Sequence, residues 1–211
     1  MDVPDAGFRR VLVVGTGALG VAFLPFWINW LKNSLPRTEV RVALTRSAER
    51  FVSAEALAVL SGREVFVDDW DRQPSVTASG VSVPHVELAD WPDLVLVHPA
   101  TLNFVSRYAL GLADTPLTLA LQSTSALVGV APSLPPRAHK SRVVHGHLEV
   151  LRARPGVVVA PTIEAVSAST GELEDGGSAP LYELYDLCAA RHGAPRGEAA
   201  REETVREEVP S

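Results

Sequence analysis

The sequence is poor in sulfur and in positive charge, and each shortage excludes a class of protein. Its 211 residues include one cysteine, Cys188, and one methionine. A single cysteine cannot build an internal disulfide framework, which favours a reducing, cytoplasmic compartment. The formal net charge of −6 argues against nucleic acid as a partner, because no basic stripe offsets it.

Long hydrophobic runs are also missing. The longest apolar run, residues 21–31, is interrupted by Pro25 and Asn29 and is too short to span a bilayer. The first ten residues lack the charged-then-apolar pattern of a signal peptide. With 46% hydrophobic and 21% charged residues, the composition is typical of a globular protein outside the membrane.

Short apolar runs alternate with longer amphipathic segments along the chain. Strands are predicted at residues 11–14, 40–45, 64–67, 94–97 and 156–160, and helices at 21–32, 48–60, 104–113, 143–152 and 181–191. One of the apolar segments 117–122 and 126–130 is expected to be a further strand. This alternation predicts an α/β fold, a doubly wound parallel sheet of the Rossmann-like or flavodoxin-like kind with helices on both faces.

The pattern is continuous enough for one domain over residues 1–192. The last segment, residues 193–211, contains almost nothing apolar to bury and is rich in glutamate. It is therefore predicted to be a disordered acidic tail.

A glycine-rich loop, Gly15-Thr-Gly-Ala-Leu-Gly20, follows the first predicted strand and opens a helix. Glycines let backbone amides approach a phosphate, and a helix N-terminus favours the anion. The second strand ends in Thr45-Arg-Ser47, without the acidic residue that holds the ribose of NAD. Arg46 would suit a 2′-phosphate, so an NADP-dependent reductase is one alternative. Against it stand Pro25, within the predicted first helix, and the lack of room for a separate catalytic domain.

A second candidate site combines His85 with the loop Pro99-Ala-Thr-Leu-Asn-Phe104. His85 opens a short amphipathic segment, and the strand at 94–97 is predicted to break at Pro99. Ligands of open α/β sheets bind beyond the carboxyl ends of the strands, which places this loop at a binding site. His85 is a candidate proton-transfer group. Asn103 is also a candidate N-cap for the helix that follows.

These residues resemble those of the flavin-dependent cysteine decarboxylases. In that family a histidine precedes a Pro-Ala-Ser-Ala-Asn-Thr loop, and the spacing of fourteen positions from His85 to Pro99 matches the family spacing. The similarity continues through Gly111-Leu-Ala-Asp114 and Leu117-Thr118. It extends overall over roughly residues 11–187.

The resemblance implies FMN as the cofactor and assigns roles to residues of this chain. His85 is expected to carry out acid–base chemistry, and Asn103 to orient the substrate carboxylate. The residues expected to contact FMN are Gly17, Ala18, Leu19, Thr45, Ser47, Phe51, Thr101, Leu102, Asn103, Phe104 and Ser133. No metal site is expected, because His145 and His147 are two positions apart on a helix and do not face each other.

Two departures from the family pattern narrow the expected function. Pro135 stands where the family has a substrate-binding asparagine, and Leu134 where it has a methionine. The flap at residues 161–171 has Ser169 or Thr170 at the position where the coenzyme A branch carries a reducing cysteine. The glycine-rich segment at 171–177 is expected to clamp a peptide tail.

The expected function is therefore FMN-dependent oxidative decarboxylation of the C-terminal cysteine of a precursor peptide to an aminoenethiol. The expected partners are that peptide and further copies of the chain, as a trimer or a dodecamer. Alternatives are a phosphopantothenoylcysteine decarboxylase, a flavin prenyltransferase-like protein, which would lack the catalytic histidine, and a regulatory flavoprotein without turnover.

Overall fold

The computed structural model describes residues 5–72, 76–77, 80–81, 83–135, 137–166 and 171–193. Its strands, in chain order, are β1 (Arg10–Gly15), β2 (Glu39–Thr45), β3 (Phe66–Asp68), β4 (Val76–Thr77), β5 (Gly80–Val81), β6 (Leu94–Thr101), β7 (Leu127–Ser133), β8 (Val157–Val159), β9 (Ile163–Val166) and β10 (Leu173–Gly177). Six of them form one parallel sheet in the order β3-β2-β1-β6-β7-β8. The β4–β5 and β9–β10 pairs are antiparallel hairpins.

Seven α-helices lie in the described ranges: α1 (Leu24–Ser34), α2 (Ala54–Ser61), α3 (Pro84–Asp90), α4 (Leu102–Ala109), α5 (Pro116–Ser123), α6 (Arg142–Arg152) and α7 (Leu181–Gly193). Helices α1, α2 and α7 supply one hydrophobic core, and α3 to α6 supply a second core on the opposite face of the sheet. This confirms the predicted doubly wound, single-domain fold. None of the helices within these ranges has the length and apolar character needed to cross a membrane.

Strand β1 shows why the sheet is central to the molecule. Its residues Val11 to Val14 are completely buried, and alternate side chains enter the two cores. Such an unbroken apolar run is typical of a parallel strand covered on both faces. The strand order reverses between β1 and β6, so the switch point of the sheet lies at the carboxyl ends of these two strands.

The first two predicted helices have different starts from those expected. A 3-10 turn occupies Leu19–Phe23, and α1 begins only at Leu24, which places Pro25 in the first turn, where its missing N–H is tolerated. Pro25 therefore does not interrupt the helix. The predicted helix at 48–60 is divided into a 3-10 turn and α2, which begins after Ser53 accepts a hydrogen bond from the Ala56 N–H.

The end of β6 corrects three further predictions. The strand does not break at Pro99; it continues to Thr101 past an irregularity, and the His98–Pro99 peptide is cis. Asn103 is not the N-cap of α4, because the Thr101 hydroxyl accepts the Phe104 N–H at 3.3 Å. Helix α4 ends at Ala109 rather than at residue 113.

The open choice between two apolar segments is also resolved. Residues 117–122 lie in α5, and the strand is β7. Cys188 is fully buried on α7, as its apolar surroundings predict. The predicted acidic tail lies outside the described residues except for Gly193, the last residue of α7.

Candidate active site

The glycine-rich loop lies directly against the turn that follows β2. A Cβ added at Gly17 would lie 2.6 Å from the Ser47 Cβ and would overlap the Ser47 hydroxyl. The hydroxyls of Thr45 and Ser47 are themselves 3.1 Å apart. The structure thus brings together three of the predicted cofactor residues, and their close approach requires glycine at position 17.

Thr16, which is not among the residues predicted to contact the cofactor, joins this loop to the end of β6. Its buried hydroxyl donates to the Pro99 carbonyl at 2.6 Å and accepts from the Thr101 N–H at 2.9 Å. A threonine inside a glycine motif has no distinctive pattern, so only the folded contacts reveal this role. The bridge fixes the two sides of the switch point relative to each other.

Predicted residues also meet at the ends of β6 and β7. Thr101 is paired in register with Ser133, the last residue of β7. Asn103 is exposed on the first turn of α4, where backbone amides point toward the carboxyl edge of the sheet. Phe104 differs from this pattern, because its side chain is buried in the core against Tyr108 and only its backbone lies at the loop.

The chain therefore forms a cradle suited to a phosphate at the switch point. It consists of the Gly17 loop, the Thr45 and Ser47 hydroxyls and the start of the 3-10 turn after Ala18. Leu19 and Phe51 flank it as large apolar side chains exposed to solvent. The absence of a Cβ at Gly17 and the paired hydroxyls fit the phosphate of a mononucleotide.

His85 belongs to a second group of residues, at the start of α3. Its half-buried ring makes an edge contact with Trp70, with ring centroids 5.7 Å apart. The Trp70 indole donates to the Asp114 carbonyl at 2.9 Å. The Arg107 guanidinium hydrogen-bonds the Asp114 carboxylate and lowers its pKa. His85 is thus oriented by an aromatic contact that its sequence motif does not reveal.

The phosphate cradle and the group around His85 are linked through Asp69 and the 3-10 turn at Trp70–Arg72 that follows it. Asp69 pairs with Arg46 on the turn after β2, with 3.3 Å between Oδ2 and Nε. Arg72 pairs with Glu49 at 2.7 Å. Arg46, the cation that the NADP alternative required for a 2′-phosphate, is therefore engaged by a carboxylate.

A buried carboxylate supports the region around Asp114. Asp68, at the carboxyl end of β3, accepts the Leu117 N–H at 2.9 Å in the first turn of α5. Burial raises the pKa of Asp68, and the Leu117 hydrogen bond opposes this effect. An acidic residue at a helix N-terminus satisfies an otherwise unpaired donor and complements the helix dipole.

The β9–β10 hairpin packs against the segment that follows β7. The Leu134 N–H donates to the Gly176 carbonyl at 2.8 Å, and a Cβ at Gly176 would lie 2.8 Å from the Leu134 carbonyl oxygen. His139 and Asp175 lie 3.5 Å apart between Nε2 and Oδ2. The segment predicted to be a clamp, residues 171–177, consists of strand β10 and the two residues before it. Ser169 and Thr170 lie outside the described residues.

A doubly wound parallel sheet with a phosphate cradle at its switch point defines a nucleotide-binding α/β protein. The family model described as Flavoprotein matches residues 4–192. The chain belongs to this flavoprotein family, which confirms the family predicted from the residues around His85 and Pro99.

Individual relatives agree with this assignment. The chain is 35% identical over 164 residues to the cypemycin cysteine dehydrogenase (decarboxylating) of a Streptomyces species, covering 77% of this chain and 81% of that one. The crystal structure of the cypemycin decarboxylase CypD matches with a TM-score of 0.66 and 29% identity, over 90% of this chain and 97% of that chain. The FMN-dependent cysteine decarboxylase SpaF shares the fold, with a TM-score of 0.73 and 22% identity over 88% and 98% of the two chains.

Proposed function

We propose that this protein uses FMN to catalyse the oxidative decarboxylation of the C-terminal cysteine of a precursor peptide, leaving an aminoenethiol. The observation that carries the proposal is the Thr16 bridge, which joins the phosphate cradle to the loop that bears Asn103. Similarity to an enzyme named for cysteine decarboxylation, over 77% of the chain, supports the same reaction.

The residues of the cradle fit FMN. We assign its phosphate to the loop at Gly17, Ala18 and Leu19, beside the hydroxyls of Thr45 and Ser47. The remaining predicted contacts are Phe51, Thr101, Leu102, Asn103, Phe104 and Ser133, with Phe104 contributing its backbone. When bound, FMN supplies a two-electron acceptor for the cysteine side chain, and the resulting thioaldehyde loses carbon dioxide to give the enethiol.

We assign the substrate carboxylate to Asn103. Its amide is exposed on the first turn of α4, where the helix dipole favours an anion. An amide holds a carboxylate without adding a charge that would stabilise it against loss of carbon dioxide. Asn103 therefore orients the group that leaves while the rest of the peptide extends away from the sheet.

We assign proton transfer to His85. A neutral imidazole has one nitrogen that donates a proton and one that accepts a proton, and the edge contact with Trp70 limits the orientations of its ring. The same group is anchored through Trp70 to the backbone of Asp114. This arrangement places the histidine at the start of α3, on the segment that leads into β6.

The chain contains no thiol that could return electrons to an oxidised product. Residues 161–177 include no cysteine, and Cys188 is fully buried on α7, where burial raises the pKa of its thiol to about 12. This favours a product that stays oxidised, as expected of a decarboxylase that acts on the cysteine of a peptide, over the phosphopantothenoylcysteine decarboxylase alternative. The β9–β10 hairpin is assigned to the peptide as its clamp.

We further propose that the chain assembles as a trimer or a dodecamer. Trp27 and Trp30 of α1 pack against Tyr182. Phe23, at the end of the 3-10 turn, and Phe26, in the first turn of α1, are 66% and 62% exposed. Large exposed aromatic side chains are typical of a subunit contact. Light scattering is expected to give a multiple of three chains, and a monomer would contradict this part of the proposal.

The function is tested with the purified protein and peptides that end in cysteine. The visible spectrum is expected to show a flavin that is released on denaturation and identified as FMN. His85→Asn is expected to retain FMN and to lose decarboxylation. Asn103→Ala is expected to lose decarboxylation even when it is saturated with added FMN, while His145→Asn, at an exposed position on α6, serves as the control. A colourless protein that binds NADPH, or full activity in His85→Asn, would refute the assignment.

A further inference from the structure

A buried histidine on β6 has no part in the chemistry assigned above. His98 is 5% exposed and lies one residue before Pro99, at the carboxyl end of the strand. Its ring stands edge-on to Trp27 of α1, with ring centroids 5.9 Å apart. Its Nε2 lies 2.9 Å from the Ala179 carbonyl oxygen, which makes Nε2 the protonated nitrogen of a neutral ring.

The partner of His98 lies at the base of the β9–β10 hairpin. Ala179 follows the end of β10 by two residues and precedes α7 by two. The neighbouring Ser178 hydroxyl donates to the Ala131 carbonyl of β7 at 3.2 Å. The residues after β10 thus attach the hairpin to β6 and β7, and Gly176 within β10 attaches it to Leu134.

On its other side, His98 adjoins the cofactor cradle. The Pro99 carbonyl, in the next residue, accepts the hydrogen bond of Thr16, and the Thr16 hydroxyl also receives the Thr101 N–H. A single stretch of β6 therefore contacts the phosphate loop through Pro99 and the hairpin base through His98.

Burial of the His98 ring has an energetic cost. Its Nδ1 is buried and has no hydrogen-bond partner among the described residues, and a buried acceptor without a partner is unfavourable. Burial also lowers the pKa of His98 to about 4, so the ring stays neutral at physiological pH. An apolar side chain would avoid both costs, but it would remove the donor that Nε2 provides to the Ala179 carbonyl.

We propose that His98 is a positioning residue that holds the base of the β9–β10 hairpin against the cofactor edge of the sheet, and so sets the hairpin's alignment with the peptide. The peptide in this statement rests on the function proposed above. The position of the hairpin does not depend on that function, because it is a property of the FMN-loaded protein before any peptide binds.

The test compares His98→Leu, which removes the donor, with His98→Gln, whose amide can still donate to Ala179. Hydrogen exchange is measured on the FMN-loaded protein without peptide, at the Leu134 amide and at the amides of β9 and β10. In His98→Leu these amides are expected to exchange about tenfold faster, while those of α3 are unchanged. His98→Gln is expected to restore most of the protection, and His145→Leu on the exposed face of α6 is the matched control.

Steady-state kinetics provide the second readout. His98→Leu is expected to raise KM for a peptide ending in cysteine by about tenfold and to change kcat by less than about twofold. Unchanged exchange at Leu134 and in the hairpin would overturn the proposal, as would equal effects in the Gln and Leu variants. If the native enzyme fails to decarboxylate any peptide, the proposed function fails, and the exchange data still decide the role of His98.

If His98→Leu does not fold, the hydrogen bond from His98 to Ala179 is tested in the native protein. Nitrogen-15 spectra of histidine-labelled protein are expected to show His98 as the neutral Nε2–H tautomer at pH 7. Observation of the Nδ1–H tautomer would overturn the proposal, because the ring could then not donate to Ala179.

Discussion

At the scale of single residues, the phosphate cradle depends on one missing side chain and one buried hydroxyl. Gly17 allows the loop to reach Ser47, and Thr16 joins the loop to Pro99 and Thr101. The glycine is visible in the sequence as part of a motif. The threonine is not, because its importance comes from two backbone groups more than eighty residues away along the chain.

Gly17→Ala is expected to weaken FMN binding strongly. The added Cβ would overlap the Ser47 hydroxyl, so the loop or the turn after β2 must move. Titration with flavin fluorescence is expected to show a Kd at least about tenfold higher. Gly146→Ala, at an exposed position on α6 where the new Cβ meets nothing within 4 Å, is the control and should leave the Kd unchanged. Equal affinities in the two variants would contradict the close approach at Gly17.

Thr16→Val is expected to destabilise the fold by about 1–3 kcal/mol, because it leaves the Pro99 carbonyl and the Thr101 N–H without their partner. Urea unfolding measures this loss. Thr16→Ser keeps the hydroxyl and should recover most of the stability. A valine variant as stable as the serine variant would show that the bridge contributes little.

At the scale of elements, the sequence predicted which segments are strands and helices better than it predicted their ends. Apolar runs such as residues 11–14 identify buried parallel strands directly. The end of β6 was missed, because a proline normally stops a central strand, whereas here the strand resumes pairing at Ala100. The cap of α4 was missed because Thr101 and Asn103 are both good N-cap residues, and only the backbone geometry distinguishes them.

The packing of α7 on β7 provides a test at this scale. A Cβ at Gly129 would lie 2.6 Å from the Cys188 sulfur and 3.2 Å from Leu184, so Gly129→Ala is expected to cost about 1–3 kcal/mol of stability. Cys188→Ala removes the sulfur, and in that background the Gly129→Ala change should cost clearly less. Thermal or urea unfolding of the four proteins gives the coupling energy. Purely additive effects would contradict the direct contact.

At the scale of the whole molecule, the doubly wound sheet brings together residues that are far apart in sequence. The family motif predicts His85 and Asn103 as site residues, and the fold places them in two groups that are joined through the Asp69–Arg46 and Arg72–Glu49 pairs. Neither ion pair could be predicted, because surface charges have many possible partners in an unfolded chain. The contact between Trp70 and His85 could not be predicted either, because nothing in the local sequence of Trp70 indicates it.

The buried neutral ring of His98 makes the stability of the fold depend on pH. Above its ordinary pKa of 6.5 the ring is neutral in both the folded and unfolded states. Below that pH the unfolded chain binds a proton that the folded protein binds only near pH 4, so stability falls as the pH is lowered between these values. The loss at pH 4 is on the order of 3 kcal/mol. Urea unfolding across this range should show a smaller decline in His98→Gln, and parallel curves for the two proteins would contradict a depressed pKa.

The proposed reaction is decided by the intact mass of a cysteine-terminated peptide after incubation with the FMN-loaded protein. We expect a product lighter by one carbon dioxide and two hydrogen atoms, formed by the native protein and by His145→Asn but not by Asn103→Ala. A peptide of unchanged mass, or one that loses carbon dioxide alone, would contradict an oxidative decarboxylase.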